Sequence, residues 1–129
     1  MNFDLGLLRS YAKQIKEEAS DSETGLISKV VGVTFDNRQP FINAMTKDTE
    51  VRLVRERSNK FDFYAVSVEA NIGEKWLGIG YIPKDKSKKI AEKIDKDVEI
   101  SAKILRFNEF FCDVVEETSR GVTIVIEGV

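Results

Sequence analysis

The sequence contains no histidine at all, and that absence removes at once the commonest general base, the usual metal ligand and every Ser-His or Cys-His nucleophile arrangement. There is one cysteine, Cys112, so no internal disulfide and no structural zinc site can form. Its flanks, Phe110-Phe111-Cys112-Asp113-Val114, read as a buried strand in which the thiol is packing. No apolar run approaches the roughly 20 residues that span a bilayer. The N-terminus Met1-Asn2-Phe3-Asp4 also lacks the basic-then-apolar order of a signal peptide, so the expectation is a cytoplasmic protein without a membrane partner. No Gly-x-x-x-x-Gly-Lys phosphate-binding loop occurs, and the one Asp-x-Asp, Asp95-Lys96-Asp97, reads as a lysine-flanked turn rather than a magnesium site. The expectation is a non-catalytic chain with no cofactor and no metal.

What is present is the composition of a folded protein: 129 residues, 42% hydrophobic and 33% charged, with only two prolines, which suits one domain and lacks the bias of disorder. The net charge of −2 counts against binding energy drawn mainly from phosphate neutralisation. Charge is unevenly spread, however. Between Lys84 and Lys96 six lysines face three acids, whereas from Asn108 to Val129 five acids face Arg120 alone, so a local basic face is compatible with overall acidity.

Residues 4 to 18 place Leu5, Leu8, Ala12 and Ile15 at spacings of three, four and three, with Tyr11 beside the stripe and Asp4 as N-cap. This predicts an amphipathic helix that either packs on its own domain or recruits a protein partner. Asp21 to Gly25 reads as its connecting loop, giving a helix-plus-loop segment over 1–25 and one domain over 26–129. From Leu26 onward the pattern is of short strands: 27–35 with Gly32 as a bulge or close approach, then a helical turn or two at 41–45. Next come a strand at 50–56, a half-buried alternating strand at 64–70, a turn at Asn71 to Glu74 and a return strand at 75–82, where Gly78 and Gly80 mark bending or a neighbour passing close. A lysine-rich helix over 84–94 follows, with Ile90, Ala91 and Ile94 inward. Strands at 98–107, 110–116 and 122–127 close the chain, with Gly121 supplying the last turn. The prediction is a mainly β fold with helical insertions, of the α+β kind: a small, OB-like, partly open β-barrel of about six strands behind the N-terminal helix.

Three blocks carry the functional signal. Val30-Val31-Gly32-Val33 is followed by Arg55-Glu56-Arg57-Ser58-Asn59-Lys60-Phe61-Asp62-Phe63-Tyr64-Ala65-Val66, and then by Gly80-Tyr81-Ile82-Pro83. In this order, across residues 27 to 107, they resemble the HIRAN domain, of the stand-alone bacterial type. Its pattern joins a Val-Val-Gly-Val strand to an Arg-Glu-Pro-x-Asn-Pro-Tyr-Asp-x-Asn-Ala-Val loop and a Gly-Tyr-Ile-Pro step into a helix. The resemblance implies an OB-like barrel and, as in the best understood relatives, capture of a free 3′ end of single-stranded DNA. It implies Phe61 as a base-stacking platform, Asn59 and Asp62 as polar loop positions, and Asp62 as acceptor for a terminal 3′ hydroxyl. The helicase-type motor of large relatives has no counterpart in this sequence.

Each residue also has a structural account. Asn59 and Asp62 equally fit turn-capping roles, Phe61 equally fits the core, and outward lysines are commonly a solvated face. Trp76 and Tyr81 read as packing. The chain departs from the family pattern where Arg57 and Lys60 replace prolines, Phe61 replaces tyrosine and Tyr64 replaces asparagine. It departs again where Thr34, Phe35 and Asp36 stand in place of a basic residue and aromatics. Phe35 can still stack, Arg38 is the nearest compensating cation, and Arg55, Arg57 and Lys60 add positive charge beside the loop. Lys84, at the start of the lysine-rich helix, is the best placed of its lysines for a phosphate. The candidate nucleic-acid-binding set is therefore Phe35, Arg38, Arg55, Arg57, Asn59, Lys60, Phe61, Asp62 and Lys84. The competing class is a protein-interaction module whose nucleic-acid pocket has decayed.

Overall fold

The structure is a computed structural model and describes residues 25–129. The amphipathic segment 4–18 lies outside the described residues. The chain forms β1 (Leu26–Lys29), α1 (Gln39–Asn43), β2 (Glu50–Arg55), β3 (Val66–Ile72), β4 (Lys75–Tyr81), α2 (Lys84–Asp95), β5 (Ser101–Cys112) and β6 (Glu117–Glu127). Among the described residues no helix is long and apolar enough to cross a membrane.

The six strands make one antiparallel sheet in the order β1-β6-β5-β2-β3-β4. Its two ends meet just beyond β1. There Val31 donates to the Tyr81 carbonyl (2.8 Å) and accepts from the Tyr81 N–H (2.9 Å) in a single bridge. One bridge joins the edges without a full ladder, so the barrel is partly open, as the strand pattern predicted. Gly80 makes the meeting possible. A Cβ there would lie 2.6 Å from Val30 Cγ1 and closer still to the Val31 carbonyl oxygen, and its φ of 153° is one that side-chain-bearing residues avoid.

The β3–β4 hairpin turns on Gly73 and Glu74, with φ of 60° and 66°, the two positive values that a two-residue turn matched to strand twist requires. Its walls are more deeply buried than the predicted half-buried alternation. Val66, Ser67 and Val68 are all buried, because α2 and the closure region cover what a flat sheet leaves open. Ile42, Val66, Val68, Ile79, Ile90, Ile124 and Ile126 have essentially no exposure and form the centre of the core. α2 turns Ile90 and Ala91 inward with Ile94 half-buried, and leaves Lys84, Lys88, Lys89 and Lys96 exposed.

Three predicted elements differ from those observed. The first strand, expected over 27–35, ends at Lys29, because Gly32 takes a φ of 77° and Asp36 and Asn37 take 55° and 57°, folding 32–38 into turns. The strands expected at 98–107 and 110–116 overlap one continuous strand, β5 (Ser101–Cys112), with 113–116 forming the turn into β6, and Gly121 sits within β6 opposite Asn108 rather than in a turn. The expected break falls at Asn108 and Glu109, two consecutive exposed polar residues that interrupt the alternation yet pair with Gly121 and Arg120 of β6, while the register shift between Ile104 and Arg106 moves the inward phase from Ile104 to Phe107. Cys112 is half-exposed at the end of β5, not buried within a strand.

Candidate nucleic-acid interface

The loop between β2 and β3 leaves the barrel and returns through one ladder hydrogen bond, Glu56 N–H to the Ala65 carbonyl (2.9 Å). Between those points local polar bonds shape it. Asn59 Oδ1 accepts from the N–H groups of Phe61 (2.8 Å) and Asp62 (3.0 Å), and Asp62 Oδ1 accepts from Tyr64 (2.9 Å). These are the side-chain-to-backbone turns that Asn and Asp favour. Because the backbone is held this way, the Phe61 ring is not recruited to the core: it is 88% exposed, and of its two readings the exposed one holds. The second oxygen of Asp62 has no protein partner among the described residues.

Glu56 fastens the loop to the barrel. Its Oε1 accepts from Asn59 Nδ2 (3.2 Å) and from the Tyr81 hydroxyl (2.8 Å), at the strand that closes the barrel. Burial, and next the hydrogen bond to Glu56, push the Tyr81 phenol above its ordinary value, so it stays protonated as a donor. On the other side Arg55 reaches the carboxylate of Asp95 (3.2 Å) and the Phe63 carbonyl, its guanidinium lying 4.7 Å from the Phe63 ring centroid. Arg57 meets the same Asp95 oxygen at 2.5 Å. Desolvation raises the Asp95 pKa, but the hydrogen bonds from Arg55 and Arg57 outweigh it and hold the carboxyl below its ordinary range.

A second loop, after β1, lies across the closure from the first. A tight turn at Asp36 and Asn37, closed by Arg38 N–H to the Phe35 carbonyl (3.2 Å), leaves the Phe35 ring 56% exposed. It also folds the Arg38 side chain back, so that Nη1 donates to the Gly32 carbonyl (2.6 Å) and Nη2 pairs with Asp36 (3.1 Å). The guanidinium lies 5.4 Å from the Tyr81 ring centroid. Between the loops is a groove of about 570 Å³.

Of the nine residues proposed from sequence, Phe35, Arg38, Asn59, Phe61, Asp62 and Lys84 line this groove, together with Asp36 and Tyr81 over a floor that includes Val31 and Ala65. Arg55, Arg57 and Lys60 are not among its lining residues. Arg55 is almost wholly covered and, with Arg57, is committed to Asp95, while Lys60 is exposed. Tyr81, read from sequence as packing, is a groove residue and an anchor. Its place in the Gly-Tyr-Ile-Pro block was the available signal, whereas nothing in the spacing of Asp95 marks it as the partner of two arginines some forty positions earlier. The two lining cations, Arg38 and Lys84, are matched by two carboxylates, Asp36 and Asp62. Among the described residues no cluster of acidic or cysteine side chains is gathered to hold a metal ion.

The fold is similar to two solved structures. One is a protein from Lactobacillus plantarum, with a TM-score of 0.56 and 20% identity, covering 81% of this chain and 95% of that one. The other is the HIRAN domain of human HLTF, with a TM-score of 0.52 and 18% identity, covering 81% and 76%. No curated protein matches the chain. The HIRAN domain model matches residues 26–126, which take in both loops, the closure and every strand, and the chain therefore belongs to the HIRAN domain family.

Proposed function

We propose that the chain is a non-catalytic nucleic-acid-binding module that holds single-stranded DNA, and specifically a free 3′ end, in the groove between its two loops. In this reading residues 26–129 are the binding unit and residues 1–25 an appended helix and loop. The observation that carries the proposal is the pair of exposed phenylalanine rings, Phe35 and Phe61, lining one groove with an acceptor carboxylate. Exposed rings offer bases a stacking surface that is tolerant of sequence, at about 1–3 kcal/mol per base. The unpaired oxygen of Asp62 suits a terminal hydroxyl and repels a terminal phosphate. Lys84, exposed at the first position of α2, suits the phosphate that follows.

The test is fluorescence anisotropy with short labelled single strands at low salt, comparing a 3′ hydroxyl with a 3′ phosphate. Preference for the hydroxyl, lost in Phe61→Ala, is the expected result. No binding at low salt, where phosphate contacts are strongest, overturns the DNA reading and leaves the groove to a protein partner, a class that the net charge of −2 also suits.

A further inference from the structure

Arg38 is one of the two cations that line the groove, and it is already engaged. Its Nη1 is held by the Gly32 carbonyl at 2.6 Å, and its Nη2 is held by the Asp36 carboxylate at 3.1 Å. The two partners differ in kind. The Gly32 contact is structural: it is short, the Arg38 side chain is only 13% exposed, and a Cβ on Gly32 would come within 3.0 Å of Nη1. The Asp36 contact faces water, with the Asp36 side chain 79% exposed and lining the groove.

Asp36 sits where it does because the turn requires it. Its φ of 55° lies in the left-handed region, which Asp and Asn tolerate better than other side-chain-bearing residues. Asparagine therefore replaces it with the turn intact and only the charge removed. With Nη1 held by the Gly32 carbonyl and Nη2 by the Asp36 carboxylate, the paired Nη1/Nη2 donors that would bind a phosphate bidentately are already partly engaged.

We propose that Asp36 is a built-in competitor for the Arg38 guanidinium: it acts as an internal anion that a ligand phosphate must displace, and so lowers the groove's affinity for phosphate-bearing ligands. The inference rests on the reading of this groove as a nucleic-acid site. Arg38, fixed through Gly32, is the anion-recognising group, and Asp36 sets how strongly it is felt. With Asp36 in place the groove's two cations and two carboxylates balance, and stacking on Phe35 and Phe61 has to supply most of the holding energy. With Asp36 neutralised, Arg38 becomes available without moving. An exposed ion pair of this kind is weak, so the change is modest and specific to Arg38.

The experiment uses Asp36→Asn, Arg38→Gln and the double variant of the full chain with two probes. The first probe is inorganic phosphate, followed by the Arg38 side-chain Nε–Hε resonance in wild type and Asp36→Asn. The resonance is expected to respond at lower phosphate concentration in Asp36→Asn, and equal titration of the two proteins overturns the inference. The second probe is a labelled single strand with a free 3′ hydroxyl. Asp36→Asn is expected to bind it about two- to fivefold more tightly and with a steeper salt dependence, and the gain should vanish in the Arg38→Gln background. A gain that persists there reflects the general field of the removed charge and overturns the inference. If no strand binds any variant while the phosphate titrations still differ, the nucleic-acid reading fails and the competition between Asp36 and phosphate stands.

Discussion

Phe61 and Val66 lie five positions apart, one 88% exposed and the other fully buried, and they belong to two regions held together by different forces. The barrel wall from Val66 to Ile82 is fixed by apolar burial and by the close approach of Gly80 to Val31. The loop from 57 to 64 is fixed by polar contacts: the Asn59 and Asp62 turns, the Glu56 bridge to Tyr81, and the Arg55 clamp on Asp95. A loop shaped by hydrogen bonds does not need the Phe61 ring for its shape. Phe61 is thereby left exposed, while equally apolar residues in the wall are spent on the core.

If that division is right, substitutions in the two regions separate stability from binding. The largest loss of stability belongs to the wall: Ile79→Ala should cost about 2–5 kcal/mol, read as a lowered urea midpoint with unchanged slope. A cost below 1 kcal/mol would mean that the wall is not the load-carrying part. Asn59→Ala removes the acceptor of two backbone N–H groups and should cost about 1–2 kcal/mol. The Phe61 and Asp62 amides should exchange slowly in wild type and fast in Asn59→Ala, and equal protection in the two proteins would show the loop to be shaped by something other than Asn59.

Phe61→Ala sharpens the comparison from the other side. Its stability should stay within about 0.5 kcal/mol of wild type, while affinity for a single strand falls by about 1–3 kcal/mol. A large stability loss would place the ring in the fold rather than at the ligand.

The smallest effect concerns pH. The pKa of Asp95 is lowered in the folded state, so its contribution is fully present above the ordinary carboxylate range and is lost as pH falls through its depressed folded value. Wild type should thus exceed Asp95→Asn in stability at neutral pH, and the two should converge in strong acid. Parallel curves in acid titration monitored by circular dichroism would exclude Asp95 as the loop's anchor.

Much of this arrangement was legible in the sequence because it depends on local chemistry. Asn59 and Asp62 fit turn caps as one of their two readings, and the alternation of Ile100, Ala102 and Ile104 encodes a strand. Of Gly78 and Gly80, both of which mark bending or a close neighbour in the sequence, Gly80 meets Val31 while Gly78 faces open space. The single β5 strand was hidden because Asn108 and Glu109 are consecutive exposed polar residues that read as a break, although both pair with β6.

Local residue chemistry thus determined the class of fold and the turn-forming positions of the loop between β2 and β3, because turn formation, alternation and capping act over a few neighbouring positions. Six of the groove's lining residues were pointed to by the resemblance to the HIRAN pattern, and the loop after β1 reads as strand up to Phe35. Only the tertiary structure decided which cations are committed and which remain. Asp95 meets Arg55 and Arg57 from about forty positions away, Tyr81 meets Glu56 from twenty-five, and the Val31 to Tyr81 bridge brings the two loops together. Such pairings depend on how the sheet closes, and charge neutralisation falls off over a few ångströms in space without regard to distance along the chain.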